Sequence, residues 1–136
     1  MSPLRRRVPE DVAGSLRAFG AVVPALDRAR SALTASVPST RLPGRPLAEA
    51  LLEYEGALDE IAAGMDAWRA AVVEEVWVRC DRSLIEARRL AERVRTRAPA
   101  PDGFQGLIGL IGDLLAPLDA FDDAAERFRE LRRGRR

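Results

Sequence analysis

Carboxylates one helical turn apart are the residues in this sequence most obviously spaced for chemistry: Glu49 with Glu53, Glu55 with Asp59, and Asp119, Asp122, Asp123 and Glu126 near the C-terminus. Pairs of this kind hold divalent metal in helical di-iron proteins and in all-helical, magnesium-dependent nucleotide hydrolases. The di-iron arrangement requires Glu-x-x-His, and the chain has no histidine. The magnesium option needs only carboxylates, but these fall largely off the apolar stripes described below, so they read as solvated faces. Asp123 with Arg127 has ordinary i,i+4 ion-pair spacing.

Other chemistry is equally thin. Nucleophilic catalysis lacks a histidine base, and Ser31, Ser36, Ser39, Thr40 and Ser83 have no partner constellation. The single cysteine, Cys80, excludes an intramolecular disulfide and any CxxC site; lying in an apolar stripe, it reads as a buried thiol. Gly103, Gly106, Gly109 and Gly112 recur every third residue without a GxxxxGK[ST] motif, so phosphate cradling is unsupported. Close helix packing across those glycines is the expectation. No catalysis, cofactor or metal is expected.

The elements that carry these residues are helical throughout, with no strand-like alternation. The first helix is expected over about 9–37, with the stripe Val12, Leu16, Phe19, Val23, Leu26, Arg30, Leu33 and Val37. Steps of four and three alternate as in a coiled-coil seam, and Pro24 should kink it. A Pro/Gly-rich linker follows over 38–45. The second helix, about 46–98, carries Leu47, Leu51, Tyr54, Leu58, Ile61, Met65, Trp68 and Val72, then Val76, Cys80, Leu84, Ala87, Leu90 and Val94. Steps of four at 72, 76, 80 and 84 mark a stutter. No proline stands between Pro46 and Pro99, so an unbroken rod of about 75 Å is expected. The competing reading breaks it at Cys80-Asp81-Arg82, because Ser83 to Glu86 has capping-box spacing. The third helix, about 103–133, starts at an Asp102 N-cap with Gln105 three residues on. Its stripe is Phe104, Leu107, Ile111, Leu114, Leu118, Phe121, Ala125 and Phe128, with a kink at Pro117.

The second helix is polarised in charge. Glu49, Glu53, Glu55, Asp59, Glu60, Asp66, Glu74 and Glu75 face one base, Arg69; beyond residue 78, Arg79, Arg82, Arg88, Arg89, Arg93, Arg95 and Arg97 face only Asp81, Glu86 and Glu92. Trp68 and Trp77, nine residues apart, fall on opposite sides of a continuous helix. Short connections fold helices 1 and 3 back over the two halves of helix 2, end to end. The resulting expectation is an all-α, antiparallel helical bundle or coiled coil with one long central helix flanked by two shorter kinked ones. An antiparallel homodimer would then match acidic half to basic half, through a surface of Val73, Val76, Trp77 and Leu84. A compact one-chain four-helix bundle is the competitor, in which the charge gradient only complements helix dipoles.

At 136 residues with net charge +1, the chain is one domain without global attraction to polyanions. All of its bases are arginine, as a GC-rich genome would favour. The functional expectation is a cytoplasmic, non-enzymatic, self-associating interaction or adaptor protein with a homodimeric or other protein partner. The first alternative is a sequence-nonspecific nucleic-acid-binding regulator using the basic termini 1–8 and 132–136: Arg5, Arg6, Arg7, Arg132, Arg133, Arg135 and Arg136. The second is peripheral membrane attachment through Phe104–Leu115. A secretion signal is disfavoured by Pro9-Glu10-Asp11 directly after the arginines, and no stretch reaches the ~20 apolar residues of a membrane span.

Overall fold

A computed structural model describes residues 10–97 and 99–134, and all of its regular elements are helical. They are α1 (Glu10–Thr34), α2 (Leu47–Ala63), α3 (Glu74–Thr96), α4 (Gly103–Leu115) and α5 (Ala120–Arg133), with 3-10 turns at Asp66–Ala71 and Ala116–Asp119.

The expected rod over 46–98 is not formed. It breaks at 64–73, where α2 ends at Gly64, the 3-10 turn follows, and Val72 and Val73 are extended (φ −125°, ψ 160° and φ −64°, ψ 145°). Nor does it break at 80–83, because Cys80 and Ser83 sit inside α3. The physical reason lies in the two tryptophans. A straight helix leaves one of them outside; the corner turns both toward one core, with Trp68 fully buried and Trp77 8% exposed. Trp68 meets Phe19, Phe121 and Phe128 edge-on, and Phe19 stacks on Phe128 at 4.3 Å. The Trp77 indole N–H donates to the Met65 carbonyl (2.8 Å), at the junction of α2 and the 3-10 turn. Arg69 lies 3.9 Å over the Trp77 ring and pairs with Glu74. Glu74 and Glu75 then open α3, where carboxylates favour a helix N-terminus.

The fold-back also changes the place of the first and last helices. They lie side by side around one core instead of end to end. Phe19 meets Phe128, and Arg30 reaches the Leu118 carbonyl and Asp122, so contacts run in opposite directions along α1 and the α4–α5 segment. Arg28 with Glu60, then Glu55 with Arg95 and Asp59 with Arg88, give the same sense for α1 against α2 and α2 against α3. The acidic and basic halves that suggested a second copy therefore meet within one chain. Both α2–α3 pairs lie toward solvent, so they orient the helices while the apolar core stabilises them.

The stripes are buried largely as their periods require. Leu16, Phe19, Leu26 and Leu33 are interior, as are Leu51, Tyr54, Leu58, Ile61, Ile111, Leu114 and Leu118. In α1 the seam shifts at one step: Val22 is buried and Val23 is 40% exposed. Pro24 sits inside α1 without ending it. Pro117 lies in the second 3-10 turn, and each of the other three long helices sends a side chain to a backbone carbonyl there. Tyr54 of α2 donates to Leu114, Arg30 of α1 to Leu118, and the Cys80 thiol of α3 lies 3.4 Å from the Ala120 oxygen. The kink that Pro117 imposes by lacking an N–H is thereby tied into the core.

Between α1 and α2 the linker turns back on itself. The Arg45 N–H donates to the Ala35 carbonyl (2.8 Å), and a Cβ at Gly44 would come within 2.2 Å of the Ser36 oxygen, so only glycine fits. Asp102 precedes α4 as expected but makes no capping hydrogen bond; Gly103, at φ +71°, makes the turn.

Candidate interaction surface

Of the four residues expected to form a self-association surface, only Val73 is outside, at 62% exposure. Val76, Trp77 and Leu84 belong to the chain's own core. The corner at 64–73 accounts for this placement, because it turns the second apolar side of the expected rod inward. Of the arginines proposed as an anion-binding belt, Arg5, Arg6, Arg7, Arg135 and Arg136 lie outside the described residues. Arg132 is exposed, and Arg133 pairs with Glu126.

The carboxylates with metal-ligand spacing are placed among arginines. Glu53 pairs with Arg45, Glu55 with Arg95, Asp59 with Arg88, Asp122 with Arg30 and Asp123 with Arg79. Asp123 thus reaches across to α3, and Arg127 turns to Glu130 instead. Among the described residues, no group of three or more His, Cys, Asp or Glu side chains is placed to share a metal ion. Cys80 is buried, and burial pushes its thiol up to about 12. Burial likewise raises the Tyr54 phenol above its ordinary range. At the corner, the hydrogen bond from Arg69 holds the Glu74 carboxyl below its usual value.

The surface that is open lies on α4. Phe104 and Ile108, one turn apart, are 51% and 39% exposed, and Leu107, Leu110 and Leu115 are half-buried. Residues 103–112 carry no charge. The glycines do not pack against another helix of the chain as expected: Gly109 and Gly112 are exposed, and a Cβ on either would meet nothing within 4 Å. The cause is the length of α1. It aligns Arg30 with Leu118 and ends at Thr34, only about 6 Å further on, while the linker folds back over its end. The first turns of α4 therefore extend past α1 with one flank uncovered. The Gly103–Arg133 helical run, expected to fall short of a membrane span, is in fact long and apolar enough for one; its best window is only 22% buried.

Alongside, the outer face of α3 carries Arg82, Ile85, Glu86, Arg89, Leu90 and Arg93 around a shallow trough of about 530 Å³. Among the described residues, no ion pair engages Arg82, Arg89, Arg93 or Arg97. The signal for the α4 surface stood in the sequence as an uncharged, glycine-spaced apolar run. Which of its flanks would be left open depended on where α1 stops.

Comparison with protein-family models, with curated proteins and with solved structures returned no match.

Proposed function

We propose that this chain is a non-catalytic helical interaction protein that folds as a one-chain antiparallel bundle and self-associates through the open flank of α4. The carrying observation is the uncovered, charge-free face of Phe104, Ile108 and Leu115, with Gly109 and Gly112 beside it. A second copy suits that face on two grounds. A two-fold contact uses the same patch on both copies, so one self-complementary face is enough, and ten uncharged residues bring no like charges together. Exposed glycines also let two helix backbones approach closely, as small residues do in tight helix pairs. Three turns of one helix offer less than the ~800 Å² per partner of a stable interface, so this contact is weak, fast and concentration-dependent.

Sedimentation over a wide concentration range tests it. A reversible rise in average mass that Ile108→Glu abolishes supports the reading; an invariant mass of 14.9 kDa up to millimolar chain overturns it. The length and exposure of the Gly103–Arg133 run favour a second reading, attachment to a lipid surface through the same flank. Flotation of the protein with anionic vesicles, lost in Phe104→Ser, would replace the second copy with a membrane.

A further inference from the structure

The helical pattern of the sequence runs unbroken through a segment that the fold bends. Met65, Trp68, Val72 and Val76 keep the stripe in step across 64–73, and no proline lies between Pro46 and Pro99. Gly64, the one glycine of the corner, sits at φ −97°, ψ 0°, a negative-φ bridge conformation that does not require glycine. Nothing covalent in 64–73 forbids a continuous helix. The bend is held by side chains: the Trp77 indole on the Met65 carbonyl, and Arg69 stacked on Trp77 and paired with Glu74.

We propose that residues 64–73 are a hinge through which two copies of this chain exchange halves, α2 and α3 straightening into one helix. In the exchanged pair, α1 and α2 of one copy pack with α3, α4 and α5 of the other. Contacts that tie the two halves are re-formed between copies without change of partner type: Phe19 on Phe128, Tyr54 on the Leu114 carbonyl, Arg30 on Leu118 and Asp122, Glu55 with Arg95, Asp59 with Arg88. The corner contacts are lost and Trp68 must repack against Phe19, Phe121 and Phe128, while the straightened segment gains helical backbone hydrogen bonds in return. The charge polarity of the joined helix selects the antiparallel arrangement, since a parallel pair would set acid against acid. The interface is the whole core between the halves, far more than the α4 flank offers. The exchanged dimer therefore separates only by unfolding, whereas the contact through α4 dissociates on dilution.

Val73 supplies the discriminating substitution. Its φ of −64° suits proline, Val72 before it is extended as a residue preceding proline should be, and its side chain is exposed. Its N–H makes no backbone hydrogen bond in the bent form among the described turns and caps. Val73→Pro is thus compatible with the corner and penalises a continuous helix through it, where it removes a hydrogen bond and crowds the preceding turn. Gly64→Ala acts oppositely: an added Cβ meets only ordinary contacts at 3.8 Å, and alanine favours the straight form roughly fivefold per chain.

The experiment is to unfold the intact protein in denaturant, refold it at about millimolar concentration, dilute to micromolar, and resolve species by light scattering and small-angle scattering. The expected result is a dimer of twice 14.9 kDa that persists on dilution, spans at least ~75 Å, and survives Ile108→Glu. It should be absent in Val73→Pro, whose monomer keeps full helical content, and enriched several-fold in Gly64→Ala. An equal dimer yield in Val73→Pro overturns the proposal. So does the absence of any dilution-stable dimer in both the unaltered chain and Gly64→Ala. A dimer that dissociates at once and vanishes in Ile108→Glu belongs to the α4 contact instead.

Discussion

Tyr54, Arg30 and Cys80 do more at single-residue scale than their place in apolar stripes implied. Tyr54 and Cys80 were legible as interior from their spacing, and Arg30 stood out as a charge in register with leucines. Their targets were not legible, because a carbonyl freed beside Pro117 depends on how four helices meet. Tyr54→Phe keeps the ring and strands the buried Leu114 carbonyl, so a cost of about 1–2 kcal/mol is expected, read as a melting temperature lower by roughly 3–8 °C. An unchanged melting temperature would contradict that role. The Cys80 thiol, held near 12 when folded against about 9 when unfolded, gives a pH signature with a definite sign. Its contribution is complete below about pH 9 and drains away as pH rises toward 12, because only the unfolded chain ionises readily in that window. Alkaline unfolding should therefore move to higher pH in Cys80→Ala once its lower neutral-pH stability is normalised. Native protein at pH 8 should also react with Ellman's reagent only as fast as it unfolds; rapid labelling would refute the burial.

At the scale of elements, the periods of α1, α2 and α3 were readable, and so were the start of α4 and the kink at Pro117. The corner was not, because no proline and no left-handed glycine marks it. Its signals were indirect: tryptophans on opposite sides of one supposed helix, a valine pair followed by two glutamates, and a stutter just beyond. A helix apolar on two sides can meet a second chain or break and turn both sides inward, and local pattern alone does not choose between them. Here burying Trp68 among Phe19, Phe121 and Phe128 decides it. The latch has its own acid sensitivity. Glu74 is held below its usual value by Arg69, so the pair's contribution is present above the ordinary carboxylate range and lost as pH falls through the lowered value. Glu74→Gln should lower helix-corner protection in hydrogen exchange at pH 7 and leave it little changed near pH 2. Between α2 and α3, Arg95→Glu should lower the melting temperature only slightly, and adding Glu55→Arg should restore it; a large loss without recovery would mean the pair does more than orient.

For the whole molecule, all-helical character and one apolar core followed from composition and period, while the shape did not. A bend at ten residues separates the folded-back chain from the expected two-chain rod, and outside the corner the same side chains could meet in either. The polarised charges fit both forms, and that is why they could not discriminate between them. The same bend puts Val76, Trp77 and Leu84 inside, and the flank of α4 is left open because α1 stops at Thr34. The most direct test of the fold-back is small-angle scattering on freshly purified, never-refolded protein at micromolar concentration. A one-chain mass near 14.9 kDa with a radius of gyration of about 14 Å is the predicted result, shared by Val73→Pro. A particle about 75 Å or longer at the lowest concentration would contradict it, showing the straight helix to be the resting form.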